Sequence, residues 1–139
     1  MALISPAYVC DVDTAVPENS GDALDLSVLA AYEEIQIDDE PDLIVELIDL
    51  YLEDAPRRLS VMQELLDQEN WQSIKREAHS LRGSSGNLGA RKAAQICAEI
   101  ERMESDDPRP NLAALIGRLE VSLNQAFELF LAERKRRSQ

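Results

Sequence analysis

From Ile44 to Phe130, apolar side chains return at intervals of three and four residues with almost no break. That spacing matches the 3.6-residue turn of an α-helix and gathers each run on one face. Ile44, Ile48, Tyr51, Ala55, Leu59, Met62 and Leu66 form the first long stripe. Pro56 removes one backbone hydrogen bond without shifting the stripe, so the spacing predicts a single kinked helix beginning near Pro41. Trp71, Ile74, Ala78, Leu81, Ser85 and Leu88 form the second, opened by Asn70 as an N-cap and closed by Gly89. Ala93, Ile96, Cys97, Ile100 and Met103 form the third, ending at the Asp106-Asp107-Pro108 turn. Leu112, Ile116, Leu119, Leu123, Phe127 and Phe130 line a last helix from about Pro110 to Glu133. A shorter helix is expected after Asp25 or Ser27, carrying Val28, Leu29 and Tyr32. Strand signals and internal repeats are missing. The sequence therefore predicts an all-α fold, an antiparallel four-helix bundle with a short additional N-terminal helix over one end.

A chain of 139 residues suits one domain and can bury about two thirds of its unfolded surface without a staple. Residues 1–24 contain Pro6, Pro17 and Gly21 and lack apolar periodicity, which reads as a flexible arm or linker. The bundle is expected over residues 25–134 and a basic tail over 135–139. The run Arg134-Lys135-Arg136-Arg137 reads as a frayed end favouring the negative pole of the last helix, ahead of a contact with nucleic acid. Cys10 and Cys97 lie far apart without a C-x-x-C pattern and read as free thiols of a reducing compartment. Met1–Val9 lacks a positive leader region, and no stretch approaches the length of a membrane span. A monomeric, soluble, cytoplasmic protein with no membrane partner is the resulting expectation.

The formal charge of −13 argues against general nucleic-acid binding, which requires cations to neutralise phosphates. Its distribution is more telling. Residues 1–70 hold 18 acidic side chains against Arg57 and Arg58, whereas residues 71–92 hold Lys75, Arg76, Arg82, Arg91 and Lys92 against Glu77 alone. This cationic block surrounds the single histidine, His79.

His79 follows Ala78, so it is rotated about 100° from the apolar stripe and lies at its edge or outside it. Lys75, Arg82, Gly83 and Gly86 share its side of the helix. A phosphorylated imidazole carries about two negative charges, which the planar donor fork of Arg82 can partly offset, and Lys75 adds positive field one turn below. Gly83 leaves room for a phosphoryl group and an approaching partner. Each glycine costs a helix about 1 kcal/mol relative to alanine, so two within four residues call for a compensating gain. Singly, these features have blander explanations: a surface histidine, an ordinary surface arginine, and glycines that let helices pack closely.

Together they match a pattern. The segment Ala78-His79-Ser80-Leu81-Arg82-Gly83-Ser84-Ser85-Gly86-Asn87-Leu88-Gly89-Ala90 closely resembles the signature of histidine-containing phosphotransfer (HPt) domains. The similarity extends from about Leu24 to the end of the last helix, through Asp25-Leu26-Ser27, Tyr51-Leu52-Glu53-Asp54-Ala55-Pro56 and Ile100-Glu101. The resemblance implies that His79 is the phosphoacceptor, that Arg82 fills a basic position (more often lysine) steadying the phosphoryl group, and that Gly83 keeps the imidazole accessible. It also implies that Glu101, where the family often has glutamine, orients the ring through its other nitrogen. Lys75, Arg76 and Gly86 would belong to a docking surface on the exposed side of this helix and the adjoining second helix.

Imidazole is substantially neutral around neutral pH, and one ring nitrogen can then act as a nucleophile. In-line phosphoryl transfer depends mainly on positioning and charge stabilisation. The chain has no Walker loop, no kinase-type glycine loop and no acidic triad beside His79, so it is not expected to make phosphohistidine from ATP unaided or to carry a cofactor. The resemblance implies that a response-regulator receiver domain supplies an aspartyl phosphate and the Mg²⁺ site, with a sensor or hybrid histidine kinase further along the relay. A helical scaffold that binds signalling partners without phosphotransfer is the alternative. A di-iron enzyme is a third and poorer one, since it needs two Glu-x-x-His motifs.

Overall fold

A computed structural model describes residues 24–35 and 42–137. Five helices account for nearly all of them: α1 (Leu26–Glu33), α2 (Leu43–Asp67), α3 (Trp71–Leu88), α4 (Arg91–Glu101) and α5 (Arg109–Arg137). Helices α2 to α5 form a closed ring, each packed against the next and α5 against α2, while α1 lies across α2 and α3. This is the antiparallel bundle with an additional N-terminal helix that the periodicity predicts, and no strand occurs among the described residues.

Local chemistry sets the helix ends. Asp25 caps α1 by accepting from the Ser27 amide at 3.0 Å. Asp42 caps α2 by accepting from the amides of Ile44 and Val45. Helix α2 therefore starts at Leu43, and the expected start at Pro41 lies outside the described residues. Helix α2 runs unbroken past Pro56, which sits exposed while Ile44, Ile48, Tyr51, Ala55, Leu59 and Met62 face the core. Asn70 caps α3 by accepting from the Ser73 amide at 3.2 Å. Gly89 ends it in the left-handed region at φ 88°. A Cβ there would come within 2.5 Å of the Asp25 carbonyl oxygen, and the Asp25 amide donates to the Gly89 carbonyl at 2.7 Å. The close of α3 and the entry to α1 are thus one backbone junction that only glycine fits.

The core is continuous, from Leu29 of α1 through Ile74 and Leu81 of α3 and Ile96 and Ile100 of α4 to Leu119, Leu123 and Phe130 of α5. Burying a side chain of this kind contributes about 1.5–3 kcal/mol. One polar pair lies inside it: the Tyr51 hydroxyl and Ser85 Oγ are 2.6 Å apart, joining α2 to α3. Burial pushes the Tyr51 phenol upward, so it stays neutral, and its ring meets the edge of Phe130 at a centroid distance of 5.3 Å.

Several expected boundaries move. Leu24, included in the expected arm, is 4% exposed and packs into the core, because Asp25 anchors the chain beside Gly89. The rest of the expected arm, Cys10 included, lies outside the described residues. Helix α4 stops at Glu101 with Arg102 as its cap, short of Met103, which is half-buried. Helix α5 continues through Arg137, so the run expected to fray is helical, as is the tail up to that residue. The reason is ion pairing. Arg134 Nε lies 2.6 Å from Asp49 of α2, and Arg137 bonds Glu33 of α1, lies 2.8 Å from Glu133 and reaches Asp42 at 3.6 Å.

Candidate functional site

Helix α3 turns His79 outward, its side chain 67% exposed, and α4 delivers Glu101 from its last position. The two meet with His79 Nδ1 3.0 Å from Glu101 Oε2. A carboxylate can only accept, so this contact assigns a proton to Nδ1, which donates it to Oε2. In the neutral form of such a ring the opposite nitrogen, Nε2, carries the bare lone pair, on the edge turned away from Glu101. Arg82 Nε lies 2.9 Å from the other carboxylate oxygen, Oε1, and Arg82 Nη2 lies 3.4 Å from His79 Nδ1. With Nδ1 donating to Glu101, that second approach is electrostatic contact between two N–H groups. Arg82 is therefore an ion-pair partner of Glu101, not of the ring. Its Nε–H misses the axis of Oε1, and that buried oxygen has no hydrogen bond.

Of the other residues expected at the site, Gly83 and Gly86 lie exposed on α3, and a Cβ built on either would meet nothing within 4 Å. No helix packs against them, which removes the reading that they exist for close packing. Lys75 is half-buried one turn before His79. Arg76 is exposed and donates to Ser73 Oγ at 2.9 Å. The cationic surround is smaller than the sequence suggests. Arg91 pairs with Asp25 at 3.6 Å, at the far end of α3, about 15 Å from His79 by helical rise. Lys92 begins α4 at that same end. Lys75, Arg76 and Arg82 are the cations that share α3 with the ring.

On the opposite flank of α3, Arg58 of α2 joins Glu77 at 2.9 Å and Asp54 at 2.7 Å. Partial burial works against the Asp54 carboxylate, but Arg58 and Arg57 outweigh it and hold the group below its usual range. Above this pair, Leu47 and Leu50 of α2, Tyr32 of α1 and Ser84 and Asn87 of α3 line an open groove of about 470 Å³. Leu50 is 64% exposed there, and the Tyr32 hydroxyl donates to the Asn87 carbonyl at 2.9 Å. Sequence reasoning placed a docking face on α2 without naming its residues. Leu47 and Leu50 lie off the buried stripe, and that surplus of apolar side chains was the available signal. Among the described residues no group of three or more histidine, cysteine or carboxylate side chains is placed to hold a metal ion. None of the described helices is long and apolar enough to cross a membrane. Cys97, buried beneath the site, is pushed up to about 12, mainly by burial and then by the charge of Glu101, which leaves it inert as a nucleophile.

The fold and site define a helical module, a four-helix bundle with one exposed histidine beside a carboxylate, an arginine and two open glycines. The chain belongs to the Hpt domain family, whose model matches residues 46–130. Among solved structures it is similar to the histidine-containing phosphotransfer protein B (HptB) of Pseudomonas aeruginosa PAO1, at 29% identity and a TM-score of 0.69, covering 82% of this chain and 96% of that one. The histidine-containing phosphotransfer domain of the Escherichia coli anaerobic sensor kinase ArcB shares the fold, with a TM-score of 0.71 at 21% identity over 91% of this chain and 98% of that one. Histidine-containing phosphotransfer protein 2 of Arabidopsis thaliana is 29% identical over 70 residues, which make up 48% of this chain and 45% of the relative. Protein 5 of the same plant is 27% identical over 70 residues. The chain thus spans about half the length of the curated relatives it matches.

Proposed function

We propose that this protein is a phosphorelay intermediate that accepts a phosphoryl group on His79 Nε2 from the aspartyl phosphate of a receiver domain and returns it to another. The observation that carries this is the exposed imidazole whose Nδ1 edge is engaged by Glu101, so that the outward edge is the nucleophilic one. Membership of the Hpt family and the similarity to HptB support it. Glu101 orients the ring. Arg82, freed from Glu101, is within reach of the phosphoryl group and offers it a charge-assisted donor pair. Gly83 and Gly86 leave the surface beside the ring low enough for a partner to approach.

The protein acts as a carrier in this scheme, with no kinase activity of its own. The receiver brings the Mg²⁺ and most of the catalytic groups, and a sensor or hybrid histidine kinase feeds the relay. Lys75 and Arg76 steer the acidic pocket of the receiver toward α3. The apolar groove beside Leu47 and Leu50 receives the partner's flank. The protein works in the cytoplasm as a monomer.

The test is to incubate the protein with a receiver domain bearing labelled aspartyl phosphate. Acid-labile, alkali-stable label should appear on the wild type, and none on a His79→Gln variant of unchanged helicity. Label retained by that variant refutes the assignment. Binding without any label on the wild type would favour the scaffold reading.

A further inference from the structure

Helix α5 buries the stripe that its period predicts, and one residue that it does not. Leu119 and Leu123 face the core. Val121 lies two residues from each, so at about 100° per residue it points out of the bundle, away from both. Yet Val121 is 7% exposed, and it takes no part in the continuous core. Beside it Ser122 is 3% exposed with its Oγ unbonded, and Asn124 buries an amide nitrogen that has no hydrogen bond. Gly117 on one side and Glu128 on the other are exposed, so the cover is local. Neighbours on the same helix do not supply it. Gly117 has no side chain, and Arg118 is drawn aside to Glu99 of α4 at 3.7 Å.

Elimination identifies what covers Val121. Among the described elements α5 packs against α2 and α4, on its inward faces. The turn from Arg102 to Pro108 leads into the first residue of α5, about 18 Å from Val121 by helical rise. Residues 36–41 join Ile35 to Asp42, and residues 138–139 follow Arg137. Because Arg137 pairs with Glu33 and Asp42, both stretches start at the far end of α5, about 24 Å from Val121. Two residues span about 7 Å, and six residues tied at both ends loop out about 12 Å. Residues 1–23 are tied at Leu24 alone and can span about 75 Å. We infer that this N-terminal segment seats on the outer face of α5 at Val121, as an intramolecular cover. The chemistry of the two surfaces agrees. Leu3, Ile4, Tyr8 and Val9 give the segment an apolar start, while Ala113, Ala114, Gly117, Val121, Asn124 and Gln125 leave that face of α5 uncharged. The free Asn124 amide offers a donor to backbone laid across it. In the ring of helices α5 stands diagonal to α3, so the seat holds the segment on the side of the bundle away from His79.

The experiment uses the full chain with a nitroxide on Cys10, inside the segment. Cys97 does not compete for the label, since it is buried and its thiol is pushed up to about 12, mainly by burial. The spin should erase the amide NMR signals of Val121 and Gln125 and spare those of His79 and Gly83 on α3. A second label, on Thr14→Cys in a Cys10→Ser background, guards against a nitroxide that itself unseats the segment. Val121→Asp should abolish the broadening while helicity by circular dichroism stays at the wild-type level, because Val121 lies outside the core. A fall in helicity would make Val121 a core residue and overturn the inference. So would α5 signals untouched by either label, or broadening that survives Val121→Asp. Finally, ¹⁵N protein without nitroxide is mixed with nitroxide-bearing protein of natural isotope content. No broadening is expected there; its appearance would assign the cover to a second copy and overturn the intramolecular seat.

Discussion

Arg82 holds Glu101 with one nitrogen and stands near His79 with another, a two-point arrangement that a lysine ammonium cannot reproduce. Its side chain is 44% exposed, so the ion pair is partly screened and contributes little to folding. Arg82→Ala should leave stability within about 0.5 kcal/mol of the wild type in urea titration, while slowing phosphoryl transfer or shortening the life of phosphohistidine. A larger loss of stability would make Arg82 a structural residue. The histidine, the arginine and their shared face were legible in the sequence, because residues three apart on a helix must be neighbours. The ion pair between Arg82 and Glu101 was not. Nothing in local spacing tells which of two acceptors, a carboxylate on another helix or a phosphoryl group not yet attached, a guanidinium will choose.

Among helical elements, α3 shows how one residue type can serve opposite ends. Gly83 and Gly86 sit on its open face, where a methyl group would touch nothing, whereas Gly89 has positive φ and a carbonyl oxygen 2.5 Å from where its Cβ would be. Gly83→Ala should therefore raise stability, by up to about 1 kcal/mol, because alanine restrains the unfolded chain and favours helix. The same change should slow transfer by crowding the approach to the ring; a variant that is both more stable and equally active would show that access at this point is not limiting. Gly89→Ala should do the reverse and cost about 2 kcal/mol or more, measured by thermal or urea unfolding. From sequence alone, Gly83 and Gly86 could equally have served packing. Only the position of α4 and α2 around α3 decides that, and tertiary placement is not written in a helix's own period. The end of α3 at Gly89 was legible, but its junction with Asp25, 64 residues earlier in the chain, was not.

The molecule as a whole is laced at one end by the final turn of α5. Arg137 reaches Glu33 of α1 and Asp42 of α2, and Glu133 accepts from both Arg136 and Arg137. The hydrogen bond from Arg136, helped by Arg137 and opposed by partial burial, holds the Glu133 carboxyl below its ordinary value of 4.5. A group lowered on folding contributes stability above its unfolded value and loses it as pH falls through the folded one. Stability should thus decline below about pH 4.5, and Glu133→Gln should flatten that part of the curve in acid titration followed by circular dichroism. Helix number, order and inward faces followed from periodicity, since burial of one stripe per helix dominates the energetics. The lacing did not, because ion pairs between chain ends separated by about a hundred residues leave no periodic trace.

Glu101 is the closing residue of α4, the place in a helix where hydrogen bonding is thinnest and brief opening is cheapest. The His79 imidazole thus leans on the part of its support where a helix opens first. A brief opening of that last turn would release the contact at Nδ1 while the rest of the bundle stays folded.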